Sequence, residues 1–129
     1  GLRPISFYAA AFAGQIAYHD FEGVTIRPEE GERLIANLGT KRVMMLRNHG
    51  TLVMASTLPE AFLRHWSLQR ACELQVAAGA AGTPVHIPPE VSAGHQRDLA
   101  GVQLPVGPGV PDFQAMVRVI DRIDPSWQR

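Results

Sequence analysis

The clearest pattern of hydrophobic positions along the chain is a helical one between residues 57 and 78. Thr57 and Glu60 form the Thr-x-x-Glu signature of a helix N-terminus, and Gly79 is of a residue type that commonly ends helices. The pattern therefore predicts a long helix that runs to about Ala78. Its main stripe consists of residues at helical spacing, namely Leu58, Ala61, Phe62, His65, Leu68, Cys72 and Val76.

Three further apolar residues of this predicted helix, Leu63, Trp66 and Leu74, lie outside the main stripe. Apolar groups on more than one face are typical of a helix that is buried between layers or at a subunit interface. We therefore expect this helix to take part in the assembly of a homo-oligomer.

Shorter helical patterns occur on both sides of the long one. Residues 28–38 begin with Pro28, carry acidic residues in the first turn and are followed by Gly39, as expected of a complete helix. Residues 112–123 repeat an apolar stripe and precede Pro125, and residues 90–99 fit a short helix within a proline-rich region. Residues 1–13 predict an initial loop followed by a short helix or a buried segment.

Three short apolar runs, at residues 14–20, 42–47 and 51–55, predict β-strands. The last two runs are separated only by the tripeptide Asn48-His49-Gly50. This arrangement favours either two strands joined by a bend or one strand with a bulge at Gly50.

Composition and charge narrow the class of protein. The 129 residues are 46% hydrophobic and 19% charged, which is typical of one globular domain or a large piece of one. Twelve basic residues balance twelve acidic ones, whereas proteins that bind nucleic acid or anionic membranes are normally basic. Because no signal peptide or apolar membrane segment is recognisable, we expect a cytoplasmic protein that binds neither nucleic acid nor membranes.

His49 is the most informative candidate for chemistry. An imidazole between two strands and next to a glycine has little steric cover, and a neutral imidazole nitrogen is a good ligand for zinc or iron. The alternative is a turn histidine that only bonds the backbone, and spacing alone favours this second interpretation.

The other candidates are weaker. His19 and Asp20 form a pair that could belong to a metal site, but a solvated strand end is the simpler interpretation. His65 and the single cysteine, Cys72, lie on the long helix among apolar residues and are expected in the core. Tyr8 could donate a proton, although most tyrosines in such a setting simply pack.

Several segments in a fixed order resemble the class II aldolase/adducin family. The similarity extends through most of the chain, is best between residues 14 and 78, and is weakest between residues 83 and 111. The matching segments are Leu2-x-Pro-Ile-Ser6, Ala17-Tyr-His-Asp-Phe-Glu-Gly23, Leu46-Arg47-Asn48-His49-Gly50 with the following Thr51-Leu-Val-Met54, Pro59-Glu-Ala-Phe-Leu63, Gln69-Arg-Ala-Cys-Glu-Leu-Gln-Val-Ala-Ala78 and Asp121-Arg-Ile-Asp-Pro-Ser126.

The resemblance implies a three-layer α/β/α fold around a central sheet that is largely antiparallel or mixed. Residues 1–129 would be the C-terminal portion of one such domain, incomplete at its N-terminus, with residues 83–129 forming a proline-rich loop and a terminal helix. Family members assemble into rings, so the resemblance also implies a homo-oligomer, most simply a tetramer.

The resemblance also assigns roles to two residues. Catalytic members bind a divalent metal, usually Zn²⁺, through three histidines, and His49 matches the third of them. The other two come from an upstream His-x-His pair, and an upstream Glu acts as acid/base. Tyr8 lies near the position of a tyrosine that acts from a neighbouring subunit to protonate the departing group.

Three hypotheses for function follow. The first is a part of a metal-dependent aldolase-like lyase that cleaves a small hydroxy-carbonyl substrate, with the 129-residue chain itself inactive. The second is a non-catalytic, adducin-like oligomerising module with an incomplete metal site. The third is an unrelated α/β binding domain. The presence of His-x-His and Glu upstream discriminates the first two.

Overall fold

Residues 1–24 and 26–128, which the computed structural model describes, form an α/β fold of five α-helices and a three-stranded mixed sheet. In chain order the elements are α1 (Phe7–Ala11), β1 (Ile16–His19), α2 (Pro28–Leu38), β2 (Val43–Leu46), β3 (Gly50–Val53), α3 (Leu58–Ala81), α4 (Pro89–Gly101) and α5 (Val110–Ile123), followed by a 3₁₀ turn at Pro125–Gln128. None of the helices in this part of the chain has the length and apolar character needed to cross a bilayer.

Strand β2 lies in the middle of the sheet. It pairs in parallel with β1, so that Ile16 lies opposite Val43, and antiparallel with β3, so that Leu46 lies opposite Gly50. Parallel neighbours need a long crossover connection, and α2 provides it. The antiparallel pair is joined by the short turn at residues 47–49. The expectation of two strands joined by a bend is thus confirmed, and the alternative of one bulged strand is wrong.

Successive residues of each strand point to opposite faces of the sheet. Ile16 and Val43 belong to the main hydrophobic core, where they pack with Phe12, which directly follows α1, and with Leu68 of α3. The neighbouring residues, including Ala17, His19 and Met44, are buried on the other face. There His19 contacts the side chains of Asn37 and Glu30 on α2.

Helix α3 differs from its prediction at its C-terminus and at one core position. Thr57 caps its start by accepting a hydrogen bond from the Glu60 N–H, as the sequence predicts. The helix continues through Gly79 and ends at Gly82, because Gly79 stays helical and the positive φ of 142° occurs at Gly82. His65 was expected in the core but is exposed, and its Nε2 lies 3.3 Å from the Thr51 hydroxyl.

The two C-terminal helices pack on different elements, α4 on α1 and α5 on α3. Gln96 of α4 donates hydrogen bonds to the Ala10 and Ala13 carbonyls. Helix α5 packs on α3, and Gly109 comes close to the backbone of α3 at this contact. A glycine is needed there because φ is +75° and because a Cβ would lie only 2.1 Å from the Pro59 carbonyl oxygen. The helices predicted near residues 90–99 and 112–123 are therefore confirmed.

Candidate functional site

His49 lies at the tip of the hairpin that joins β2 to β3. Its backbone N–H donates to the Leu46 carbonyl at 3.1 Å, and Asn48 just before it adopts a left-handed φ of +59°, which asparagine tolerates better than most residues. The His49 side chain is exposed. The turn therefore fixes the backbone while leaving the imidazole accessible from solvent.

A small cleft of about 30 Å³ lies beside His49. Three carboxylate side chains contribute to its lining, Asp20 and Glu22 from the segment after β1 and Glu30 from α2. A volume of this size holds about one water molecule. The cleft is thus too small for an organic substrate, and in this chain His49 stands next to an acidic surface rather than inside a finished active site.

His19, expected at a solvated strand end, is instead buried, with 4% of its surface exposed. Its Nδ1 lies 2.8 Å from the Asn37 side-chain amide, and its Nε2 lies 3.6 Å from Glu22 and 3.7 Å from Glu30. The expectation was wrong because α2 covers this face of β1. His19 therefore links β1 to α2 behind the acidic lining of the cleft.

Two of the carboxylates in the cleft are engaged by guanidinium groups. Arg33 holds Glu22 through two hydrogen bonds, one from Arg33 Nε at 2.9 Å, and this bidentate contact lowers the pKa of the Glu22 carboxyl. Arg47 donates to Asp20 at 2.5 Å. Both carboxylates are therefore ion-paired, which makes them poor candidates for additional metal ligands.

The donor atoms available here do not make a metal site by themselves. Within residues 1–24 and 26–128, no three His, Cys, Asp or Glu side chains are grouped so that they could hold a metal ion. Catalytic zinc sites use about three protein ligands. His49 is consequently a single potential ligand, and the donors that these residues supply do not fit a zinc site by themselves.

Tyr8 is positioned by packing rather than by the candidate site. It lies half-buried on α1, where its ring makes edge-to-face contacts with Phe7 at 5.8 Å and with Trp66 at 5.6 Å. The described residues that line the His49 cleft do not include Tyr8. The structure therefore does not bring Tyr8 and His49 together within one chain.

Cys72 is half-buried on α3, and burial raises the pKa of its thiol. A raised pKa disfavours the thiolate, which is the nucleophilic form. The geometry thus agrees with a packing role for Cys72 rather than a nucleophilic one.

Comparison with known proteins places this architecture in a family. The sequence profile of the Class II Aldolase and Adducin N-terminal domain matches residues 1–76, which include both β1 and the His49 hairpin. The chain belongs to the class II aldolase and adducin family.

Individual relatives support the same assignment. A Caulobacter vibrioides protein whose name places it in aldolase class 2 is 37% identical over 98% of this chain and 49% of its own length. Beta-adducin of Rattus norvegicus is 34% identical over 95% of this chain and 18% of its own length. The chain therefore spans about half the length of the first of these relatives and a smaller part of the second.

Solved structures agree with the sequence comparisons. The crystal structure of an aldolase II superfamily protein from Pseudomonas syringae superimposes with a TM-score of 0.85 at 39% identity, covering 96% of this chain and 50% of that one. An L-fuculose 1-phosphate aldolase from Glaciozyma antarctica gives a TM-score of 0.69 at 23% identity, covering 95% and 45%. The second similarity concerns the fold alone.

Proposed function

We propose that residues 1–129 are the C-terminal portion of a class II aldolase-like domain, in which residues 83–129 comprise proline-rich loops, α4 and the terminal helix α5. The proposal includes a three-layer α/β/α arrangement, which the burial of residues on both faces of the present sheet supports. It is further supported by relatives of about twice the length of this chain.

In this proposal His49 supplies one of three histidine ligands to a divalent metal, most simply Zn²⁺. The observation that carries the proposal is the accessible imidazole at the tip of a backbone-fixed hairpin, inside the segment that matches the family profile. The other two ligands and a catalytic Glu would come from a longer form of the protein. A metal held there would act as a Lewis acid in the cleavage of a small hydroxy-carbonyl substrate in the cytoplasm.

Tyr8 is proposed as the proton donor to the departing group, acting on the site of a neighbouring subunit. Its separation from the His49 cleft within one chain is consistent with action on the site of another subunit. The homo-oligomer that this requires, proposed as a tetramer, is supported by apolar side chains exposed on α3, with Trp66 at 42% and Leu74 at 44%. Light scattering at micromolar concentration tests it, and a monomeric mass for the folded chain contradicts it.

The experiment that tests the function is an aldol-cleavage assay on a panel of hydroxy acids and sugar phosphates with added zinc, cobalt or manganese. We expect no turnover from the 129-residue chain, because one histidine does not retain a metal at micromolar concentration. We expect EDTA-sensitive turnover from a form that also carries the upstream histidines and Glu. Metal-dependent turnover by the short chain would contradict the proposed ligand set.

A second candidate function is a non-catalytic, adducin-like oligomerising module. The similarity to beta-adducin over 95% of this chain and the lack of a metal-binding group within the described residues favour it. The same assay separates the two functions, because an adducin-like module remains inactive and metal-free in the longer form while still assembling.

A further inference from the structure

A larger cavity lies at the end of β2 opposite to His49. It has a volume of about 560 Å³, within the range of about 300–1,000 Å³ that small-molecule sites occupy. The four residues of β2 separate it from the His49 turn by about 13 Å of strand. We name it the basic cavity. Its apolar lining includes Phe12, Val43 and Leu63, and its charged lining consists of Lys41, Arg42, Arg64 and Glu60.

The charges around the basic cavity are unequal, since three cations face one carboxylate. Glu60 lies between the two guanidinium groups, 2.7 Å from Arg64 and 3.7 Å from Arg42. Arg64 also donates to the Met54 carbonyl at 3.0 Å, which fixes its guanidinium. The carboxylate therefore neutralises only part of the positive charge, and an anion entering the cavity meets a net attraction.

Lys41 lines the cavity and is exposed, but a hydrogen bond tethers its ammonium at the cavity wall. Its ammonium donates to the Ile16 carbonyl at 2.9 Å, which uses one of its three N–H donors. Because β1 anchors the ammonium through this bond, the Lys41 side chain is already partly ordered. Ligand binding therefore costs less side-chain entropy here than at a mobile surface lysine.

We propose that the basic cavity binds a small organic anion, whose carboxylate or phosphate group is held by Lys41 and Arg42 while its apolar part packs on Phe12, Val43 and Leu63. Gln15, Thr40 and Ser67 also line the cavity and offer hydrogen bonds to hydroxyl groups of the ligand. This site is distinct from the proposed aldolase site at His49, and it stands whether or not that proposal is correct.

The chain offers a direct probe, because Lys41 is its only lysine. Protein labelled with ¹³C-lysine gives one side-chain Cε signal, which can be followed during titration with butyl phosphate, butyrate, inorganic phosphate and butanol. We expect a saturable shift with butyl phosphate or butyrate, and the tighter of the two identifies the preferred anionic group. Inorganic phosphate should bind at least several-fold more weakly, because it lacks the apolar part, and butanol should leave the signal unchanged.

Three variants test the assignment of residues. Arg42→Gln should weaken binding roughly tenfold, the effect of losing one charge-assisted hydrogen bond. Glu60→Gln should strengthen binding, because it removes the carboxylate that lines the cavity within the described residues. The amide oxygen can still accept a hydrogen bond from the Ser56 N–H. The matched control Arg97→Gln removes an exposed cation on α4 and should change nothing.

The expected opposite effects of Arg42→Gln and Glu60→Gln distinguish binding in the cavity from a general loss of stability. The proposal is overturned if no anion gives a saturable shift, if butanol binds as well as the anions, or if Arg42→Gln and Arg97→Gln behave alike.

Discussion

Replacing His19 by alanine tests the interface between β1 and α2 behind the candidate site. The change removes a side chain that is 4% exposed, its contact with Asn37 at 2.8 Å, and the imidazole beside Glu30. A lost hydrogen bond costs about 1 kcal/mol, and an unfilled cavity of this size costs about 1–3 kcal/mol more. We therefore expect a loss of about 2–4 kcal/mol in the free energy of unfolding.

The assay is chemical denaturation with circular dichroism, accompanied by a thermal scan in which the Tm should fall by roughly 10 °C. His86→Ala is the matched control, because His86 is exposed, and it should change the free energy of unfolding by less than about 0.5 kcal/mol. Asn37→Ala should cost about 1 kcal/mol, since it removes only the hydrogen bond to Nδ1. Equal stability of the two histidine variants would refute the buried position of His19.

Three further predictions concern packing and charge. Leu68→Ala should lower the free energy of unfolding by about 2–5 kcal/mol, because Leu68 is 0% exposed. Leu74→Ala on the same helix should lower it much less, because Leu74 is 44% exposed, and equal losses would contradict the packing of α3. Gly109→Ala should detach α5, seen as increased hydrogen exchange in residues 110–123, because its Cβ would overlap the backbone of α3. Arg33→Met should raise the pKa of Glu22 toward its ordinary 4.5 in an NMR titration, and an unchanged pKa would exclude Arg33 as the cause of the shift. Because the fold lowers the pKa of Glu22, the stability that this pair contributes is present above pH 4.5 and is lost as the pH falls.

The elements of the fold were largely predictable because their signals are local. Pro28 marks the start of α2 and Gly39 its end, and the Thr57 cap marks the start of α3. The end of α3 was misplaced because glycine is compatible with both a helical and a helix-ending backbone, and only the positive φ at Gly82 decides between them.

The surroundings of the site were less predictable because they depend on contacts between distant residues. The position of His49 follows from its neighbours in sequence. The burial of His19 arises from contacts with Glu30 and Asn37, 11 and 18 residues away. The His19-Asp20 pair at the end of a strand does not indicate whether a helix will cover it. A solvated strand end was therefore the favoured interpretation, and it was wrong for His19.

The basic cavity was also invisible in the sequence pattern. Its charged residues come from the segment before β2 and from the first turns of α3, and each of them alone is typical of a solvated surface. Only the pairing of β2 with β3, and the contact of β3 with α3, brings these two segments together.

The measurement that tests the central claim most directly is the zinc content, by elemental mass spectrometry, of a longer form that carries the proposed upstream histidines. The account predicts about one zinc per chain for the unaltered protein and for the control His86→Ala, and a loss of most of that zinc for His49→Ala, because two histidines hold the metal poorly. An unchanged zinc content in folded His49→Ala would contradict the assignment of His49 as a metal ligand.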